Sequence, residues 1–200
     1  ATAIAALSMV LGVAAPASAS ETPRTWSKAI AVEATRAIEA LDSWRATTDP
    51  SDYMTFVRSR DRAATLTAID LEIQPGDLRR AWSQTSVLKQ QVVLSALTQL
   101  GVPYRSMKSS PGVAFDCSGL TSWAFAQAGV EIPRSSGQQI SAAEKLAHEE
   151  AQAGDIVHYP GHVSLYLGAD VLVHARQTGS YVEATHLADR SLRFGDITDS

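Results

Sequence analysis

Apolar residues change their spacing partway along the chain. Between residues 25 and 84 they recur at three- and four-residue intervals, and Ile30, Ala34, Ala37, Leu41 and Trp44 fall on one helical face. In TDPSDYMTFVRSR, Asp49 is placed to cap a second helix, with Pro50 at its first position. Tyr53, Phe56 and Val57 form the buried stripe this spacing predicts. QPGDLRRAW predicts a turn and a short third helix. SVLKQQVVLSALTQLG predicts a stronger one, with Val93, Ala96, Leu97 and Leu100 on one face and Gly101 as its stop. A further helix is expected from about Cys117 to Gly129. EIPRSSGQQISAAEKLAHEE reads as a loop followed by a polar helix.

After Ala153 the helical period is lost. GDIVHYP, HVSLYLG, VLVHARQ and YVEATHL are short, rich in β-branched and aromatic residues, and separated by Gly, Pro or Asp. These are strand and hairpin signals. Helices followed by a run of antiparallel strands make an α+β pattern rather than an alternating βαβ one. The expected organisation is a helical region over residues 20–84 and a second unit over residues 85–200.

The first twenty residues differ again. ATAIAALSMVLGVAAPASAS is apolar and uncharged and carries an A-x-A site at Ala17–Ala19. It reads as part of a secretory signal peptide over residues 1–19, lacking the basic n-region, with a short buried helix as the competing reading. The run is too short to span a bilayer. Export is therefore expected. The chain of 200 residues has a net charge of -4 with acidic and basic residues interspersed, and no Lys/Arg block points to nucleic acid.

Export makes the single cysteine conspicuous, because a free thiol outside the cell is an oxidation liability. Cys117 stands between Asp116 and Ser118 at an expected helix start, in FDCSGLTSWAFAQAG. Unpaired N–H groups and the helix dipole favour a thiolate there and can also hold an oxyanion. A buried structural cysteine is the ordinary alternative, but its polar neighbours argue against it. A thiolate nucleophile needs a base, usually a histidine oriented by a third group. His148 and His186 read as surface residues. A hairpin folded at Gly168-Ala169-Asp170 pairs residues whose numbers sum to about 336–338, which puts His162 opposite His174 or one pair away on the same face. His158 is cut off from His162 by Pro160-Gly161. A zinc site built from His158, His162 and His174 is the competing constellation, and it leaves Cys117 without a role.

The second part of the chain resembles the NlpC/P60 cell-wall peptidases, which are papain-like cysteine peptidases. The matching blocks are GVPY (Gly101–Tyr104), DCSGL (Asp116–Leu120), IPRSSGQQ (Ile132–Gln139), GDIVHY (Gly154–Tyr159), GHVSLYLG (Gly161–Gly168) and LVHA (Leu172–Ala175), in the family's order over about residues 86–185. The resemblance implies a catalytic domain over residues 85–200, with helices packed on an antiparallel sheet. It implies Cys117 as nucleophile, His162 as general base and His174 as its orienting partner. By the same resemblance Tyr104 lies near the oxyanion and substrate. Asp116 and Ser118 match positions that hold the free amine of an N-terminal L-alanine in some members. No metal and no cofactor are implied.

The implied substrate is the peptidoglycan stem peptide, cut between D-γ-glutamate and the following diamino acid, by a secreted or wall-associated bacterial protein. No nucleic-acid partner and no stable membrane span are expected. After Tyr104 the sequence RSMKSSPGVAF departs from the family's Trp-Gly-Gly-like continuation, which bears on the groove beside that tyrosine. An N-acetylmuramoyl-L-alanine amidase, an acyltransferase using the same thioester, and a catalytically silent wall-binding protein are the competing functions.

Overall fold

The computed structural model describes residues 27–198. The expected signal segment over residues 1–19 lies outside them. Four helices come first: α1 (Ser27–Thr47), α2 (Pro50–Asp70), α3 (Pro75–Gln84) and α4 (Val87–Thr98). Asp49 caps α2 as its sequence requires, its carboxylate accepting from the Ser51 amide at 2.8 Å. α1 and α2 form a hairpin whose buried faces are rich in small residues, including Ala34, Ala37, Ala63, Ala64 and Ala68.

That alanine stripe corrects the expected face of α2. Phe56 is fully buried and Val57 partly so, but Tyr53 is 36% exposed and instead lies against Trp44, with ring centroids 5.1 Å apart. The buried face continues through Arg60, whose guanidinium lies over the Phe56 ring and donates to Gln90 Oε1 at 2.8 Å. α2 is thereby joined to α4 by a satisfied polar contact rather than by apolar side chains alone.

A two-stranded ribbon, β1 (Ser109–Ser110) and β2 (Ala114–Phe115), leads into α5 (Cys117–Gln127). The expected polar helix is reduced to α6 (Ser136–Ala142). It gives way to a three-residue strand, β3 (Glu144–Leu146), and a single 3₁₀ turn at His148–Glu150. The remaining strands are β4 (Ile156–Tyr159), β5 (His162–Gly168), β6 (Val171–Ala175), β7 (Val182–His186) and β8 (Arg193–Asp196). They form one antiparallel sheet in the order β3-β8-β4-β5-β6-β7. The fold is α+β, as the order of elements requires. Among the described residues no helix is long and apolar enough to cross a membrane.

The β5–β6 hairpin sets the histidine geometry. Its turn residues Ala169 and Asp170 both have positive φ (51° and 57°), the conformation that matches strand twist in a two-residue hairpin. Gly168 also has positive φ (86°), and a Cβ there would lie 2.5 Å from that of Ala81 on α3.

One hydrophobic core runs from Ile30 on α1 through Trp82 and Phe125 to Ile197 after β8. The early helices are fastened to the sheet at specific points. Trp82 Nε1 donates to the Leu167 carbonyl on β5 at 2.8 Å, and His186 Nε2 lies 3.0 Å from the Leu71 carbonyl. Lys89 on α4 reaches Asp155 Oδ1 at 2.7 Å and Asp196 Oδ2 at 2.5 Å, a nearly dry ionic triad between helix and sheet.

Candidate active site

Cys117 is the first residue of α5, and Asp116 is its N-cap. The cap bond is short, from the Gly119 amide to Asp116 Oδ1 at 2.6 Å. The Cys117 and Ser118 N–H groups ahead of it have no carbonyl one turn earlier to donate to, so they remain available to an anion. Gly119 is required by packing: a Cβ there would collide with the Lys108 carbonyl. Gln139, fully buried, secures the same turn. Its Nε2 donates to the Ser118 carbonyl (3.1 Å) and to that of Pro133 (2.8 Å), while its Oε1 accepts from Thr121 (2.7 Å).

Arg134, to which sequence reasoning assigns no role, organises this corner. It grips Asp116 with both arms, Nη1 to Oδ1 at 2.9 Å and Nη2 to Oδ2 at 2.8 Å. Nη1 also donates to the Ser118 hydroxyl at 2.9 Å. These bonds to Asp116 hold the guanidinium more firmly protonated than usual, against the opposing effect of burial. Asp116 and Ser118 thus have structural partners in the folded chain.

Tyr104 reaches the corner through a strand-like pairing of residues 101–104 with the start of β7. The Gly101 amide donates to the Val182 carbonyl (2.9 Å), and the Tyr104 amide to that of Ser180 (2.9 Å). Burial, with Cys117 and Asp116 nearby, raises the pKa of its phenol, so it stays a neutral hydrogen-bond donor.

α5 packs on β5 and β6, the strands that carry the two histidines. His162 Nε2 lies 2.9 Å from His174 Nδ1, with the rings nearly perpendicular (85°). Tyr159 stacks on the His162 ring at 4.8 Å, and the Arg190 guanidinium lies 4.4 Å from the Tyr159 centroid. Burial first, then the neighbouring His174, Arg190, His158 and Arg176, depress the His162 pKa to about 3. His162 is therefore neutral in the resting protein and able to accept a proton.

His158 lies on β4 paired with Val163, and burial lowers its pKa. Among the described residues no group of three or more His, Cys, Asp or Glu is placed to hold a metal ion, so the three histidines do not form the alternative zinc cluster. His148 is half-exposed beside Asp170, and His186 lies at the surface.

The site holds one further residue that sequence reasoning missed. Glu183 on β7 is the direct cross-strand partner of His174, and its Oε1 lies 3.7 Å from His174 Nε2. Arg176 Nη1 is 4.0 Å from the same oxygen. The alternation in YVEATHL puts Glu183 on a definite face, but only the β6–β7 register shows which residue it meets. His174, Glu183, Arg176, Arg190 and Tyr159 all line a cavity of about 540 Å³.

Residues 101–193 match the NlpC/P60 family model. The chain is similar to a probable endopeptidase of Corynebacterium glutamicum, 42% identical over 108 residues, covering 52% of this chain and 49% of the relative. It is also similar to the bifunctional muramidase/DL-endopeptidase CwlT of Bacillus subtilis, 35% identical over 117 residues, covering 53% of this chain and 36% of that protein. The chain thus spans about half the length of the first of these and about a third of the second. Among solved structures it is similar to the peptidoglycan hydrolase RipB of Mycobacterium tuberculosis, with 27% identity and a TM-score of 0.50 over 76% of this chain and 87% of that one. The P60 domain of an M. avium subspecies paratuberculosis antigen is 28% identical at the same TM-score, over 60% of this chain and 96% of its own.

Proposed function

Residues 101–193 belong to the NlpC/P60 family, and from that premise we propose that the chain is a cysteine endopeptidase that hydrolyses bacterial peptidoglycan stem peptides. The observation that carries the reading is the 2.9 Å imidazole pair on the strands beneath α5, whose first residue is the only cysteine. The endopeptidase names of its relatives support it.

The roles follow from the chemistry of these groups. His162 Nε2 is committed to His174, which leaves Nδ1 to take the Cys117 thiol proton. The thiolate sulfur bonds to the peptide carbonyl carbon, and the carbonyl electrons move onto oxygen. N–H groups of the first turn of α5, with the Tyr104 hydroxyl, stabilise that oxyanion. As the C–N bond breaks, the leaving amine takes the proton from His162 and a thioester remains. Water then attacks the thioester, giving a proton to His162, and the sulfur leaves and recovers it. His174 keeps the His162 ring in one orientation throughout.

The scissile bond in this reading joins D-γ-glutamate to the diamino acid. Asp116 and Ser118 border the acyl side, where a free L-alanine amine would share a carboxylate already bound by Arg134. In this reading residues 85–200 form the catalytic unit, and the helical region before it buttresses the sheet through Trp82 on α3. Export and association with the cell wall put the protein beside its polymer.

The test is mass spectrometry of purified muropeptides incubated with the wild type and with Cys117→Ala. A new free D-glutamate γ-carboxyl with the wild type only is the expected result. A free lactyl group on muramic acid would replace the reading with an amidase, and unchanged muropeptides with both proteins would overturn hydrolysis.

A further inference from the structure

We propose that Glu183 is a positioning residue that fixes the tautomers of both active-site histidines, extending the chain of polar groups to Glu183–His174–His162–Cys117. The proposal rests on the endopeptidase reading for its effect on rate, but not for its structural content.

Two protonation patterns fit the imidazole pair. Two imidazoles facing each other through Nε2 and Nδ1 can share only one proton along that contact. If His174 Nδ1 carries it, His162 Nε2 must accept. A neutral His162 then has its proton on Nδ1, where it cannot act as a base toward the thiol. If His162 Nε2 carries it, His174 Nδ1 accepts and His162 Nδ1 is a free base. The imidazole pair does not decide between the two arrangements. The group facing the far side of His174 does.

That group is Glu183. β6 and β7 pair His174 directly with Glu183, so the two side chains leave the same face of the sheet side by side. His174 Nε2 is buried and makes no hydrogen bond, and Glu183 Oε1 lies 3.7 Å from it. A carboxylate at that position attracts a proton on Nε2 and repels a lone pair there. It therefore selects His174 with hydrogen on Nε2 and a lone pair on Nδ1. This in turn selects His162 with hydrogen on Nε2 and a lone pair on Nδ1, the catalytically competent form. A modest closing of the 3.7 Å contact makes a charge-assisted hydrogen bond, as contacts of this kind tighten when substrate is bound. Arg176, 4.0 Å from the same oxygen, keeps the carboxylate on this side of the sheet.

Nitrogen-15 NMR of labelled protein reads the four imidazole nitrogens of His162 and His174 directly and needs no substrate. In the wild type both rings should show protonated Nε2 and unprotonated Nδ1. Glu183→Ala should mix the tautomers at both residues and lower kcat about tenfold with KM nearly unchanged, in line with outer-shell orienting groups elsewhere. Glu183→Gln keeps an acceptor without the charge, should restore most of the tautomer bias and kcat, and serves as the informative variant if alanine unfolds the sheet. Tautomers unchanged in both variants would overturn the proposal, whatever the rates do. A wild type with the expected tautomers but no hydrolysis would reject the endopeptidase reading and leave the tautomer assignment standing.

Discussion

His162 and His174 meet at 2.9 Å although the β5–β6 ladder does not place them opposite one another. Leu165 pairs with Val173 and Tyr166 with Leu172, so the register carries His174 toward Ser164 and His162 two residues further on, toward Arg176. The rings bridge that diagonal, which is within reach of long or aromatic side chains on one face. The contact therefore depends on rotamer and tautomer as well as on backbone pairing.

The two histidines should accordingly differ in what their loss does. His162→Ala removes the proposed base and should lower kcat/KM by about a thousandfold, within the range for general acid–base groups. His174→Asn leaves a polar partner for His162 Nε2 and should cost only about tenfold, mainly in kcat. Steady-state kinetics on a defined muropeptide checks the ranking, and equal losses at both positions would refute the division of roles.

Much of this site is legible in the amino-acid sequence. Cys117 stands out because its neighbours are polar, and the two histidines because a hairpin at Gly168–Asp170 brings them to one face. The features that are not legible depend on long-range register. Glu183 is an unremarkable charge in an alternating strand until β7 is laid against β6. Glu144–Leu146 has no strand character of its own and becomes β3 only because β8 pairs with it. Tyr53 follows a helical period correctly, yet the close approach of two alanine-rich helices moves the buried face toward Ala63 and Ala64.

Lys89 should be among the most costly charges to remove. Its side chain is 7% exposed, and it offsets two carboxylates, one of them completely buried. Burial raises the Asp155 pKa. For Asp196, bonds from Lys89 and Thr198 overcome burial and lower it. Lys89→Met leaves both acids without their cation and should cost about 3–5 kcal/mol in urea unfolding. Asp155→Asn keeps an acceptor, relieves the repulsion between the acids, and should cost less. The reverse order would show that the triad does not act as a paired unit.

Trp82 tests whether the helical region and the proposed catalytic unit unfold together. Its indole N–H satisfies the Leu167 carbonyl from α3, and the apolar core is continuous across the expected boundary at residue 84. Trp82→Phe leaves that carbonyl buried without its donor and should cost about 1–3 kcal/mol. Far-UV circular dichroism and tryptophan fluorescence should report one coincident transition in the wild type. Two separated transitions would mean that residues 20–84 fold as an independent domain.

The depressed pKa of His162 should make both activity and stability depend on pH. Burial, His174 and Arg190 are the leading causes, and they bring the value to about 3 from an ordinary 6.5. In the proposed mechanism the neutral ring is the base, so the acid limb of kcat/KM should lie below about pH 5 rather than near the ordinary imidazole value. Arg190→Gln removes one of the positive charges and should move that limb upward in pH. For stability, the unfolded chain binds a proton at His162 between about pH 3 and 6.5 that the folded chain does not. The contribution is thus fully present above about 6.5 and is lost as pH falls toward the folded value. His162→Asn should flatten this part of the pH dependence of urea midpoints. An unchanged slope in that variant, together with an acid limb that Arg190→Gln does not move, would mean that His162 is not held neutral by its surroundings.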